Sequence, residues 1–583
     1  MKIKLRFLTL TLTLFMAGIA TAQTDPQVCP TDQAVCAVEN GQTLNLVING
    51  DTTATGERAH ADRIYELQRD GIYLMNADVR NDGYHLRVYG AESTEGAIPQ
   101  VYTALNPTSG SPVGDPFGMQ GDLTLRNFSF SGVLPEDVSG QLPDISTRIV
   151  RVRAPGFDLV MDRLIAVNLK ASIVRAQSAL RKFEMTNSVW ANSGWLGDNG
   201  TNFGAGKGID LRDGSIDSLI MRNNTFVNFT DRVLRHRNST GPIQNMVFDH
   251  NTLINTISYH GMIALGVVGE SIQITNNLFV DAFAAGADSS DVVRQEEFNE
   301  SGELYANGNA KMNWIQSVPN ETTNWNISNN HYAVSDELQA FYDAYGDGAG
   351  DDGNPDNGAD GDNDIIGEGD PLTDHIMSRL TNPTTAFGKI DSPGFTNVPA
   401  SPIGMLTWYR TDTGRTKETI TFDAATDDYD RRDTAYFLDD FDASYANTSP
   451  AYTAGEGGCP VGDLTWFPEI DAAACIEAAT AIERISAEVP SEFELMQNFP
   501  NPFNPQTNIS YALPSASNVS LVVYNVMGQE VARLVDNQSQ TAGVYNVTWG
   551  GVDQAGRSVP SGVYFYQLLS GNTQQTMKMT LIK

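Results

Sequence analysis

The chain has 583 residues, 41% of them hydrophobic and 9% aromatic, which is long enough for two or more domains and apolar enough to bury a core. Its 71 acidic and 37 basic residues leave a formal net charge of -34. That balance excludes nucleic acid or an anionic membrane as a general partner and requires any basic surface to be local.

The first residues, MKIKLRFLTLTLTLFMAGIATAQ, have a Lys/Arg start, an apolar middle and an Ala-Thr-Ala end before Gln23, the pattern of a secretory signal over 1–22. An N-terminal membrane anchor is the alternative. No later stretch reaches the roughly 18 apolar residues that a membrane-spanning helix needs, so the mature chain is expected to be soluble or attached by other means. Secretion makes disulfides plausible among Cys29, Cys36, Cys459 and Cys475. The spacing fits local pairs, Cys29 with Cys36 and Cys459 with Cys475, although four cysteines allow three connectivities.

After a polar lead over 23–43, NGQTLNLVING reads as a first strand and cap. RIYELQRDGIYLMNADVRNDGYHLRVYG then reads as three short strands split by Asp-Gly turns at Asp70 and Asp82. Further on one phrase keeps returning: FEMTNSVW, LIMRNNTFVN, MVFDHNTLIN, IQITNNLFVD, WNISNNHYAV. Setting Asn224, Asn251 and Asn277 as equivalent gives a period of about 26 to 27 residues, the length of one solenoid coil. The fold class is therefore all-β: a right-handed parallel β-helix over 44–342, with inward Val, Ile, Leu and Phe filling the bore. One Asn per coil occupies the tight bend and hydrogen-bonds its neighbours above and below.

The segment YGDGAGDDGNPDNGADGDNDIIGEGDP breaks the pattern, and an insert is assigned to 343–375. Asp360, Asp362 and Asp364 stand at alternate positions, as oxygen ligands for Ca2+ do. The EF-hand spacing fails at Ile365 and Pro371, and a solvated acidic linker accounts for the composition somewhat better. TNVPASPIGMLTWYR and SPAYTAGEGGCPVGDLTWFP read as closing coils within 376–481. The last phrase, with DGIYLMNADVRNDGYHL, resembles secreted pectate-lyase-like β-helix proteins of Bacteroidetes-type bacteria, over roughly Leu44 to Pro468.

A linker over 482–492 leads to FELMQNFPNPFNPQTNISYALP, VSLVVYNVMGQEVARLV and AGVYNVTWGGVDQAGRSVPSGVYFYQLLSG, ending in KMTLIK. Short alternating strands between Gly and Pro turns make 493–583 a small immunoglobulin-like β-sandwich. The order of these motifs resembles the C-terminal sorting domain of type IX secretion. That resemblance implies export through the type IX machinery to the surface or exterior of a Gram-negative cell, with later removal of the domain.

A packed bore leaves an outer face for chemistry. Aligning RIVRVRA, SIVRAQ, GIDLRD, VLRHRN, MIALG and VVRQEE places Val150, Val174, Ile209, Leu234, Ile263 and Val293 inward. The outward column is then Arg151, Arg175, Asp210, Arg235, Ala264 and Arg294, and the next is Arg153, Gln177, Arg212, Arg237, Gly266 and Glu296. This register turns His236 and Gln295 inward; the opposite one buries Arg235, which costs more than burying a neutral imidazole.

The bland account of this basic stripe is structural ion pairing, with Arg175 and Arg235 flanking Asp210. The functional account is a groove for an acidic polysaccharide, because Arg binds carboxylates through two parallel bonds. Uronate chains are cut by β-elimination, which neutralises the C6 carboxylate, removes the C5 proton and protonates the leaving oxygen. Arg235 and Arg237 are the candidate neutralising groups and Lys207 or His260 the base. Tyr259 is the candidate proton donor, and Arg151, Arg153, Arg175 and Arg212 the substrate-binding groups. No lyase or hydrolase motif is complete: only Asp210, Asp213 and Asp231 lie near the stripe, and Asp210 with Asp213 is more often turn chemistry than an acid/base pair. The rival reading is a non-catalytic glycan-binding or structural envelope protein.

Overall fold

The computed structural model of the chain describes residues 26–53, 57–93, 95–132, 146–194, 206–212, 214–237, 241–258, 261–284, 302–304, 310–346, 370–399, 402–403, 406, 441–475, 483–486, 493–498, 501–503, 507–514, 517–540, 543–553, 557–571 and 573–582. The signal segment, Tyr259, His260, Val293 to Glu296, and Asp360, Asp362 and Asp364 lie outside them. Two compact units divide the chain, 1–468 and 469–583.

In the first unit the expected parallel β-helix is present. Among the described residues, sheets of 10, 10 and 9 parallel strands run along three faces. The first sheet extends from Val35–Val38 to Asn324–Ser328, the second from Ile72–Met75 to Phe387–Lys389, and the third from Val79–Arg80 to Asp370–Leu372. Successive coils pair in register, so alternation along each strand becomes columns up the solenoid. On the first sheet Leu125, Met161, Met185, Met221, Phe248, Ile274 and Ile327 form one inward column. On the second, Phe130, Ala166, Trp190, Phe226, Leu253 and Phe279 do the same, the small Ala166 making room beside Trp190. All belong to one continuous core, which no single coil is large enough to close by itself.

The corner between the first and second sheets divides between two residues the work expected of one Asn. Asn187, Asn223, His250, Asn276 and Asn329 hold φ between 51° and 55°, the left-handed bend that Asn tolerates better than most residues. The following residues form the buried ladder. Asn224 Nδ2 donates to Asn251 Oδ1 at 3.0 Å, Asn251 to Asn277 at 3.0 Å, and Asn277 to Asn330 at 2.8 Å. A second bend repeats at Asn168, Asn192, Asn228 and Asn255.

Both ends differ from expectation. NGQTLNLVING holds a short helix, Leu44–Gly50, in place of a strand. Leu44, Val47 and Ile48 recur at helical spacing and join the core. The first strand is Val35–Val38, tied by the Cys29–Cys36 disulfide. Cys459 and Cys475 are also disulfide-bonded.

The closing coils expected after 376 end at Phe387–Lys389. Phe395–Asn397 pairs antiparallel with Asp442–Tyr445, outside the three sheets. The following residues lie as a strap on the outer side of the second sheet. Asp463 accepts from Thr225 Oγ1 at 2.7 Å, its own N–H donates to Thr252 Oγ1 at 2.8 Å, and Trp466 Nε1 donates to Thr225 Oγ1 at 2.8 Å. At Gly462, with φ of 85°, a Cβ would stand 2.3 Å from Thr252 Oγ1, so only glycine fits. The physical reason for a strap is that the outer columns here include Ile165, Val189, Val227, Ile254 and Leu278. A face that apolar is stable only when covered.

The second unit is the expected sandwich, two four-stranded antiparallel sheets among the described residues. Trp549 sits in its separate core, 5.6 Å from the ring of Phe503 and 5.3 Å from that of Tyr564.

Candidate functional site

The third sheet carries the basic stripe in the expected register. Val150 pairs with Val174, Ile209, Leu234 and Ile263 in turn, and all five are buried in the core. Arg151, Arg175, Asp210, Arg235 and Ala264 therefore fall in one outward column. The sixth rung is corrected. Ile263 pairs with Ile315 and Ala264 with Gln316, so Gln316 takes the outward place assigned to Arg294. At the other end the column continues through Gly118 to Arg80. A Cβ at Gly118 would lie 2.9 Å from Arg153 Nε, so this rung leaves its surface to the neighbouring arginine.

Two carboxylates organise the stripe. Asp115 pairs with Arg148, with Arg151 at 3.2 Å and with Arg153 at 3.2 Å. Asp210 pairs with Arg212 at 3.0 Å, Arg175 at 3.3 Å and Arg235 at 3.9 Å. Burial alone would raise the Asp210 carboxyl, but Lys207, Arg235, Arg212 and Arg175 together hold it below the usual carboxylate range. Six guanidinium groups sharing two carboxylates leave a local excess of positive charge. Arg151, Arg153, Arg175 and Arg212 are part-exposed, and Arg237 is exposed.

Arg235 and Lys207 lie deeper. Arg235 is 8% exposed, and burial pushes its guanidinium down to about 10, the more so for lying near Arg232. Lys207 Nζ stands 2.5 Å from Asp231, which also pairs with Arg232 at 3.5 Å, and all three side chains are buried. Burial lowers the Lys207 ammonium while Asp231 opposes that shift. His236 faces inward as the register requires, and burial pushes it down to about 4, which keeps it neutral.

Sequence reasoning overlooked Asp115, Arg148 and Gln316. Asp115 precedes its strand by two residues and Arg148 precedes the next by two, so coil alignment extended beyond the strands would have matched them. Gln316 was hidden by the long insertion between its rung and Ala264. Among the described residues no group of three or more His, Cys, Asp or Glu is placed to hold a metal ion, and no helix is long and apolar enough to cross a membrane.

Comparison with known proteins reaches the second unit. Residues 503–573 match the FlgD Ig-like domain. No curated protein matches the chain. Two solved structures are similar over a limited part. Dimeric latent PorU from Porphyromonas gingivalis has 18% identity and a TM-score of 0.14, over 17% of this chain and 10% of that one. PorZ, described as an essential surface component of the type IX secretion system of Porphyromonas gingivalis, has 19% identity and a TM-score of 0.12, over 17% and 12%. The match thus spans about a tenth of the length of either neighbour.

Proposed function

We propose that the chain is a secreted or cell-surface β-helix protein whose third sheet engages an acidic polysaccharide. The observation that carries this reading is the shared pairing of six arginines with Asp115 and Asp210. Each carboxylate neutralises one guanidinium, and the remainder, spaced by coil rungs of about 4.8 Å, present fork-shaped donors to successive carboxylates of a uronate chain. The sorting-domain resemblance of 493–583, with the FlgD Ig-like match inside it, supports export by the type IX route after the signal is read.

β-Elimination is the catalytic form of the same reading. Arg235 and Arg237 neutralise the carboxylate, Lys207 or His260 takes the C5 proton, and Tyr259 gives its proton to the leaving glycosidic oxygen. The lowered ammonium of Lys207 favours it as a base, but its contact with Asp231 means it must leave that partner to act. Ca2+ on Asp360, Asp362 and Asp364 is an accessory proposal.

The test is titration of the full chain with oligouronates from alginate and pectate, following both binding and the absorbance of the unsaturated product. Arg151→Ala with Arg175→Ala is expected to weaken binding about tenfold or more. Binding that these substitutions leave untouched removes the reading, whereas binding with no new absorbance assigns a non-catalytic role.

A further inference from the structure

The buried cluster around Lys207 is built for close approach of two coils. Lys207 opens the strand Lys207–Leu211 and stands between Gly206 and Gly208. On the next coil the Asp231 N–H donates to Gly206 O at 3.1 Å, and the Gly208 N–H donates to Arg232 O at 3.2 Å. A Cβ at Gly206 would stand 2.2 Å from both Ser193 O and Thr230 Oγ1, and one at Gly208 would stand 2.3 Å from Val233 O. Glycine on both sides of the lysine is therefore what lets the coils close at this rung.

That closure brings an amine and a carboxyl together away from water. Lys207 Nζ lies 2.5 Å from Asp231 Oδ2, and the two side chains are 9% and 0% exposed. A C–O bond adds about 1.2 Å, so Nζ is at most about 3.7 Å from the carboxyl carbon, at the margin of the roughly 3 to 3.5 Å from which a held nucleophile attacks. Burial lowers the Lys207 ammonium, and Arg235 and Arg232 lower it further against the pull of Asp231, which favours the neutral, nucleophilic amine. Arg232 Nε, 3.5 Å from Asp231 Oδ1, places positive charge where an oxyanion develops on attack. A second carboxylate stands three residues along the same strand. Burial would raise Asp210, and Lys207 is foremost among the cations that lower it instead, so it stays ionised within electrostatic reach of the amine.

We propose that Lys207 and Asp231 condense into an isopeptide cross-link between adjacent coils, with Asp210 carrying the proton. Nζ forms a bond to the Asp231 carboxyl carbon and one of that carbon's bonds to oxygen breaks. The two protons that the ammonium sheds leave on that oxygen as water, so net charge is conserved and no oxidant or other reagent is consumed. Two buried charges, costly to keep from water, become one neutral amide, and their fixed geometry stands in for high concentration. The inference goes beyond the glycan reading of the stripe. It removes Lys207 from the candidate bases for elimination and leaves His260.

The experiment is tryptic digestion of the denatured full chain followed by tandem mass spectrometry. Trypsin cuts at Arg212 and Arg222 and so separates the two residues unless they are bonded. The parent is expected to yield a branched peptide containing Lys207 and Asp231, lighter by one water than its two linear parts. Lys207→Arg, which keeps the positive charge, and Asp231→Ala are each expected to yield linear peptides only. Asp210→Asn is expected to lower the branched fraction at least tenfold and Asp210→Glu to restore it. Linear peptides alone from the parent overturn the cross-link, a result that depends on no variant folding and on no glycan binding. A branched fraction undiminished in Asp210→Asn overturns the role given to Asp210.

Discussion

At the scale of single residues, the first corner of the solenoid shows what one imperfect rung costs. Asn187 Nδ2 donates to Asp162 at 2.8 Å, Asn223 to Asn187 at 3.3 Å, and Asn276 to Asp249 at 3.1 Å, each reaching back one coil. His250 takes the same bend with φ of 51° and is fully buried; its Nδ1 lies 3.1 Å from Asp249 Oδ1 without good hydrogen-bond geometry, and its Nε2 has no partner. The Asn223 Oδ1 that an Asn there would reach is buried without a partner. His250→Asn is therefore expected to stabilise the protein by about 1 kcal/mol, the net worth of one restored hydrogen bond. Asp249 keeps its bonds from Thr275 and Asn276 in either case. The measurement is the denaturant midpoint of parent and variant under one set of conditions; a lower midpoint for the variant refutes the ladder account.

At the scale of elements, the strap turns one buried carboxyl into a pH-dependent attachment. Burial lifts Asp463 from 3.8 to about 6, with bonds from Thr465 and Thr225 pulling the other way. A folded-state value raised above the free one means that the docked strap holds the proton more tightly than the released strap does. Its stabilisation is complete below about pH 4 and is lost as pH rises through about 6, a change of about 3 kcal/mol. Asp463→Asn, which keeps the shape and the Thr465 bonds, is expected to abolish this dependence. Hydrogen exchange over 441–468, corrected for intrinsic rate, is expected to lose protection between pH 4 and 8 in the parent and to stay level in the variant; a level parent profile excludes the effect.

The strap was also the element least legible in the sequence. Its partners lie 211 and 241 residues away, and nothing periodic links Gly462 or Trp466 to Thr252 or Thr225. The rungs were legible because parallel stacking makes equivalent residues recur at a nearly fixed interval, so Arg175, Asp210 and Arg235 could be set side by side from their order alone. The same logic failed where a coil lengthens. Ile263 pairs with Ile315, about two periods on, and an alignment that expected one period chose Val293. The Leu44–Gly50 helix was missed because a short apolar run of that length fits strand and helix alike.

At the scale of the whole molecule, the site contradicts its surroundings: a net charge of -34 carries a stripe in which six arginines outnumber two aspartates. A polyanion approaching from afar meets the sum, and one in contact meets the stripe. Salt separates the two by distance. At roughly 0.01 M the screening length is about 30 Å and repulsion by the whole chain is felt; at roughly 0.1 M it is about 10 Å and the local arginines dominate; near 1 M it is about 3 Å and their attraction also fades. Oligouronate affinity is therefore expected to rise and then fall as sodium chloride increases from about 0.01 to 1 M, in contrast to the steady decline of a uniformly basic binder. Replacing Arg151 and Arg175 by Ala is expected to lower the maximum and leave the low-salt repulsion unchanged, because the acidic excess lies elsewhere. Titrations at three or four salt concentrations decide it, and a monotonic fall in the parent chain contradicts the assignment of a basic stripe set in an acidic field.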